Sequence, residues 1–122
     1  MKKLEKIKPM LPSLREKKRY LVFEVLSDKK FNFQEINTAV WDATLAFLGE
    51  LGASKAGIIL LGDKWNQKKQ RGLIRVDRKY VDNIKVALAL ITKINSENVV
   101  VKSVGVSGVI GKAEKRFLLG TI

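Results

Sequence analysis

The apolar positions of the chain alternate between a spacing of two and a spacing of three to four. Residues 19–26 (RYLVFEVL) are β-branched and aromatic, which predicts a strand. Residues 27–30 form a polar loop. Asn32 followed by Glu35 is a helix-start pair, and Ile36, Val40, Ala43, Phe47 and Leu51 then mark one helical face. Gly52 is placed to end that helix. Residues 56–61 (AGIILL) form a continuous apolar run that predicts a central strand. A polar, basic loop covers 62–72 (GDKWNQKKQRG), and a short strand follows over 73–76. Asp77 can cap a second helix bearing Val81, Ile84, Leu88 and Ile91 on one face, closed by residues 95–98. Residues 99–106 (VVVKSVGV) predict a fourth strand, and residues 112–119 a short C-terminal helix. At the other end Leu4, Ile7 and Leu11 have helical spacing across Pro9, and Pro12-Ser13 break it.

The order strand, helix, strand, strand, helix, strand is that of the ferredoxin-like group, to which the RNA-recognition motif belongs. We expect an α+β, RRM-like fold: a four-stranded antiparallel sheet with two helices on one face, plus short terminal helices. The 122 residues fit one domain, with residues 1–13 as an N-terminal extension and 111–122 as a short helix or tail. Strand alternation sends Leu21, Phe23 and Val25 towards the helices and Tyr20, Val22 and Glu24 to the open face, where Leu73 and Arg75 join them. An open face that is half apolar implies a protein partner or a docked terminal helix. Tyr20, Val22 and Leu73 are therefore candidate partner-interface residues. Trp41 lies off the main helical stripe and either marks a second contact surface or completes the core, the latter being favoured.

Composition narrows the chemistry. There is no Cys and no His, so disulfides, thiolate or imidazole metal sites and Ser-His or Cys-His catalysis are excluded. A self-sufficient enzyme is disfavoured. No apolar run approaches the roughly 20 residues of a membrane span, and the N-terminus lacks a signal-peptide core, so a cytoplasmic location is expected. The net charge is +12, which attracts polyanions. It is also clustered: net +6 over residues 1–30, +5 over 62–79 and +3 over 102–122, against −2 over 31–61 and zero over 80–101. Such blocks suit a surface that reads a nucleic-acid backbone.

Three groups of residues are candidate RNA contacts. Arg15, Lys17, Lys18 and Arg19 precede or open the first strand; the alternative is a solvated lead-in. In the 62–72 loop stand Lys64, Trp65, Lys68, Lys69 and Arg71. Here the indole either stacks on an unpaired base or pins the loop to the domain, and the sequence weighs these equally. Near the C-terminus stand Lys112, Lys115 and Arg116, where a docked chain end is at least as compatible as RNA contact. The third strand lacks the aromatics that stack bases in a standard RNA-recognition motif: residues 71–78 read RGLIRVDR. Stacking of single-stranded bases on this sheet is therefore not expected. The glycine-rich stretch 105–111 lacks the Lys-Ser/Thr of a phosphate loop and reads as a twisted strand end or bulge.

The stretch Leu14-Arg15-Glu16-Lys17-Lys18-Arg19-Tyr20 resembles the start of the archaeal ribonuclease P protein component related to the small Pop-type subunit of the eukaryotic enzyme. The resemblance continues through Arg71-Gly72-Leu73-Ile74-Arg75-Val76, through Arg78-Lys79-Tyr80-Val81 and through Val104-Gly105-Val106-Ser107-Gly108, and covers about residues 11–117. It implies a non-catalytic subunit that supports ribonuclease P RNA in removing 5′ leaders from precursor tRNA. It also implies a TIM-barrel-like protein partner, a homodimer within a heterotetramer, and magnesium held by the RNA, with no cofactor or metal on the protein. The basic residues of 15–19 and of 71–75, Arg75 included, carry over as RNA contacts. The alternative in the same class is a ribosomal or ribosome-assembly protein. An acylphosphatase-like hydrolase shares the topology, but residues 26–30 (LSDKK) hold neither the Gly nor the Arg that its phosphate loop needs.

Overall fold

The computed structural model describes residues 17–119; Arg15 and the expected helix over 3–11 lie outside that range. Strand β1 spans Lys18–Leu26, helix α1 Phe33–Ala56, β2 Ile59–Leu60, β3 Arg71–Asp77 and helix α2 Val81–Ala89. A small hairpin of β4 (Lys93–Ile94) and β5 (Glu97–Asn98) comes next, then β6 (Val100–Ser107) and a short helix α3 (Ile110–Ala113) that continues as a π-helical turn over Glu114–Leu118. The main sheet has the order β2-β3-β1-β6, every neighbour antiparallel. This is the expected ferredoxin-like, RRM-like arrangement.

The start of α1 follows from its capping box. The Asn32 carboxamide oxygen accepts from the Glu35 N–H, and a Glu35 carboxylate oxygen accepts from the Asn32 N–H, both at 2.9 Å. The other Glu35 oxygen accepts from Asn95 Nδ2 at 2.6 Å, so one side chain caps the helix and clamps the β4–β5 turn. That turn places Asn95 and Ser96 at positive φ, the geometry of a two-residue hairpin. From sequence, residues 95–98 only close the second helix; in the fold they turn and pair back on Lys93–Ile94.

Helix α1 also corrects two expectations. It does not stop at Gly52 but breaks at Gly49 (φ 76°, ψ 174°) and resumes to a left-handed cap at Gly57. The break turns the second segment, so Leu51 leaves the expected face and is 70% exposed; Phe47, two residues before the break, is already 41% exposed. Ala53 and Ala56 return to the core in their place. Because the helix consumes Ala56, the apolar run 56–61 keeps only two paired strand residues.

Leu21, Phe23 and Val25 of β1, Ile74 and Val76 of β3 and Val101 of β6 pack against Ile36 and Val40 of α1 and Ile84 and Leu88 of α2. A second apolar cluster lies on the opposite face of the sheet. There Val22 and Leu73 meet Ala113 and Leu118 of the C-terminal segment, with Tyr20, Leu61, Val104 and Phe117 at the margin. The docked terminal helix is thus what covers the half-apolar face. Gly105 makes this possible: a Cβ there would overlap the Phe117 ring, so the ring lies directly on the strand backbone. The register of β1 with β6 shifts between Val22 and Phe23, the irregularity expected near the glycine-rich strand end.

Gln70 joins two loops that flank the core. It sits at φ 54° and is 6% exposed. Its carboxamide accepts from the Phe31 N–H at 2.8 Å and donates to the Phe31 carbonyl at 3.1 Å and to the Gln67 carbonyl at 2.8 Å.

Candidate RNA interface

Strand register arranges the second face of the sheet in rows. Ile59, Arg75, Tyr20 and Ser107 form one row across the four strands. Leu73, Val22 and Gly105 form the next, and Arg71, Glu24 and Lys102 a third. The C-terminal segment lies over the middle row. The third row is a charge relay: Glu24 is 3.5 Å from Arg71 and 3.7 Å from Lys102. Its carboxylate therefore offsets two of the cations on that face.

This geometry redistributes the expected partner-interface and RNA-contact residues. Val22 (0% exposed) and Leu73 (1%) lie under the chain's own C-terminal segment, so they present no surface to a partner. Trp41 is half-buried against the main core, and Tyr20 is half-buried at the edge of the second cluster. Trp65 is likewise half-buried, its ring centroid 6.3 Å from that of Phe23 and its indole N–H donated to Gln67 Oε1 at 2.9 Å. The indole pins the basic loop to the core, the second of its two expected roles. Gly72 makes room for this contact, since a Cβ there would meet both Phe23 and Trp65.

Arg71 is the main correction. At 6% exposure it is not placed to meet a phosphate. Its Nη1 donates to the Phe117 carbonyl at 2.8 Å. Lys64 pairs with Glu114 at 3.2 Å, and Lys69 Nζ donates to the Leu119 carbonyl at 3.1 Å. Lys68 stays exposed, its carbonyl accepting from Lys30 Nζ at 2.7 Å. Three of the four loop cations thus face the C-terminal segment. Asn66, Glu114, Glu24 and Lys102, absent from the sequence candidates, complete these contacts. Alternation puts Glu24 and Lys102 on the covered face, but no sequence pattern links Lys64 to a residue 50 positions away.

The exposed cations fall elsewhere. Lys112, Lys115 and Arg116 are exposed on the outer side of the C-terminal segment and line one shallow depression. Lys17 is exposed at the entry to β1. Lys18 and Arg19 are half-buried beside it, Lys18 Nζ lying against Gly57 and the Arg19 guanidinium against Gly108 at the end of β6. Arg75 is half-buried beside Tyr20, and its Nε is buried with no hydrogen-bond partner among the described residues. A groove of about 680 Å³ lies on the other side, between α1 and residues 90–95, where Glu35 and Asp42 are its acids. Among the described residues no cluster of three or more carboxylates is built that could hold a metal ion, and no helix is long and apolar enough to cross a membrane.

The chain is thus an RRM-like α+β protein whose sheet is covered by its own C-terminal segment, with Lys112, Lys115 and Arg116 displayed outside that cover. Comparison with known proteins agrees with the fold and sharpens the class. Residues 19–118 match the Rpp14/Pop5 family of ribonuclease P proteins, and the chain belongs to that family. It is 41% identical to ribonuclease P protein component 2 of Thermococcus kodakarensis and 42% identical to that of Pyrococcus furiosus, in each case over 93% of both chains. The corresponding protein of Methanocaldococcus jannaschii is 36% identical over 94% of this chain and 83% of its own. A chain in the cryo-EM structure of yeast ribonuclease MRP shares the fold, with a TM-score of 0.61 over 82% of this chain and 85% of that one at 10% identity.

Proposed function

We propose that this chain is a non-catalytic protein subunit of ribonuclease P of the archaeal type, which binds the catalytic RNA and supports its removal of 5′ leaders from precursor tRNA. The observation that carries this reading is the match of residues 19–118 to the family, together with relatives of the same length called ribonuclease P protein component 2. The exposed Lys112, Lys115 and Arg116 supply its chemistry. Cations against RNA phosphates release counterions and lower the repulsion that opposes a compact RNA. They specify no sequence, which suits a subunit that supports a fold of RNA. Magnesium is then a ligand of the RNA and not of this protein. A TIM-barrel-like protein subunit and a second copy of this chain are the proposed protein partners, in a cytoplasmic particle.

The test is cleavage of precursor tRNA by the cognate ribonuclease P RNA and the TIM-barrel-like partner at moderate magnesium, with and without this chain. A clear rate gain on adding it is expected. No gain, with protein folded and RNA competent, would leave a general RNA binder and favour a ribosomal or ribosome-assembly role.

A further inference from the structure

The end of the C-terminal segment is held by side chains from a single stretch of the chain. The carbonyls of Phe117, Leu118 and Leu119 are taken in turn by Arg71 Nη1 at 2.8 Å, Asn66 Nδ2 at 3.5 Å and Lys69 Nζ at 3.1 Å. Lys64 holds Glu114 at the start of the same turn. The last carbonyls of a helical turn lack partners within it, so outside donors decide whether the turn persists or frays. Beneath the turn, Phe117 rests on Gly105, and Leu118 shares a cluster with Val22 and Leu73. The underside is anchored, and the outer side carries Lys112, Lys115 and Arg116.

We propose that Arg71 and Asn66 are positioning residues for RNA binding: they hold the C-terminal segment so that Lys112, Lys115 and Arg116 form one fixed cationic array. This rests on the reading of the chain as an RNA-binding subunit. Three long side chains on a fixed turn lose less freedom on meeting phosphates than three on a frayed end. Arg71 therefore acts on RNA through residues about 40 positions away and not through its own charge.

The experiment separates the two routes. Affinity for the cognate ribonuclease P RNA is measured across a salt series for the native chain, for Arg71→Met, for K112Q/K115Q/R116Q, and for the combination. The triple variant lowers the slope of log affinity on log salt by roughly two to three, at about 0.7–0.9 per cation removed. Arg71→Met is expected to bring the native slope most of the way to that value, and to change nothing further in the triple background. A fall of about one in both backgrounds shows a direct phosphate contact by Arg71 and overturns the proposal, as does an unchanged slope in both. Faster trypsin cutting at Lys112, Lys115 and Arg116 in Arg71→Met reports the loosened segment independently of RNA. If Arg71→Met does not fold, Asn66→Ala, a neutral residue with no charge to lose, runs the same comparison. A triple variant that binds like the native chain refutes the RNA reading of the segment and the positioning role with it, whereas the trypsin result still shows whether the latch exists.

Discussion

The Arg71 guanidinium reaches the carbonyl of Phe117 across 46 residues of chain and holds it at 2.8 Å. Arg71 opens β3 beside a loop rich in Lys, and its charge is spent inside the molecule, between Glu24 and the end of the C-terminal turn. Several consequences of this closure and of the core beneath it can be measured.

Gly105 is the notch that receives Phe117. Gly105→Val forces the ring off the sheet and is expected to cost about 1–3 kcal/mol as an overpacking change. The main core on the other face keeps its contacts. Urea unfolding should show the lowered midpoint, while trypsin releases the C-terminal segment well before the rest. Equal cutting rates in native and variant chains would show that Phe117 does not depend on the notch.

Glu35 serves the Asn32 cap and the Asn95 turn with separate oxygens. Glu35→Ala removes both bonds and is expected to lower stability by about 1–3 kcal/mol, a cap plus a hydrogen bond to a charged group. A double-mutant cycle with Asn95→Ala assigns the share of the turn. A coupling of zero would mean that the hairpin holds itself.

Gln70 combines a buried carboxamide with positive φ, and the two contributions separate by substitution. Gln70→Ala loses three hydrogen bonds and leaves Phe31 backbone groups unpaired, for a cost of about 2–4 kcal/mol. Gln70→Gly loses the same bonds but suits the backbone better, and should recover roughly 0.5–1 kcal/mol of that. Thermal unfolding of both variants ranks them; Ala at or above Gly contradicts a strained position.

The break at Gly49 makes two residues of the same apolar stripe unequal. Leu51→Ala, at an exposed site, should shift stability by no more than about 0.5 kcal/mol. Ile36→Ala, at a fully buried one, should cost about 2–5 kcal/mol. A large loss from Leu51→Ala in the isolated monomer would place Leu51 back on the core.

Much of the architecture is legible in the residues themselves. The β-branched run of β1, the Asn32–Glu35 pair and the Ile84–Leu88 stripe are local signals, and they fall where the strand, the cap and the second helix form. Parity along β1 also placed Tyr20, Val22 and Glu24 together on the second face, and its half-apolar character pointed to a docked terminal helix as one of two coverings. The errors lie where the next residue is not the deciding neighbour. Gly49 breaks a stripe that reads as continuous because a period does not register a change of axis. The paired part of β2 shrinks because α1 takes Ala56.

The candidate site was legible only as a set of cations. Composition and clustering identify Lys64, Lys69, Arg71, Lys112, Lys115 and Arg116 as one chemical type, with nothing local to rank them. Tertiary structure divides them: Lys64, Lys69 and Arg71 turn to Glu114 and to carbonyls of the C-terminal turn, while Lys112, Lys115 and Arg116 face outward. The reason is physical. The sequence determined which groups carry charge and which strands alternate, because these depend on a residue and its near neighbours. Whether a cation meets a carbonyl of its own chain or an outside phosphate depends on what folding brings within about 3 Å, and for Arg71 that group lies 46 residues away.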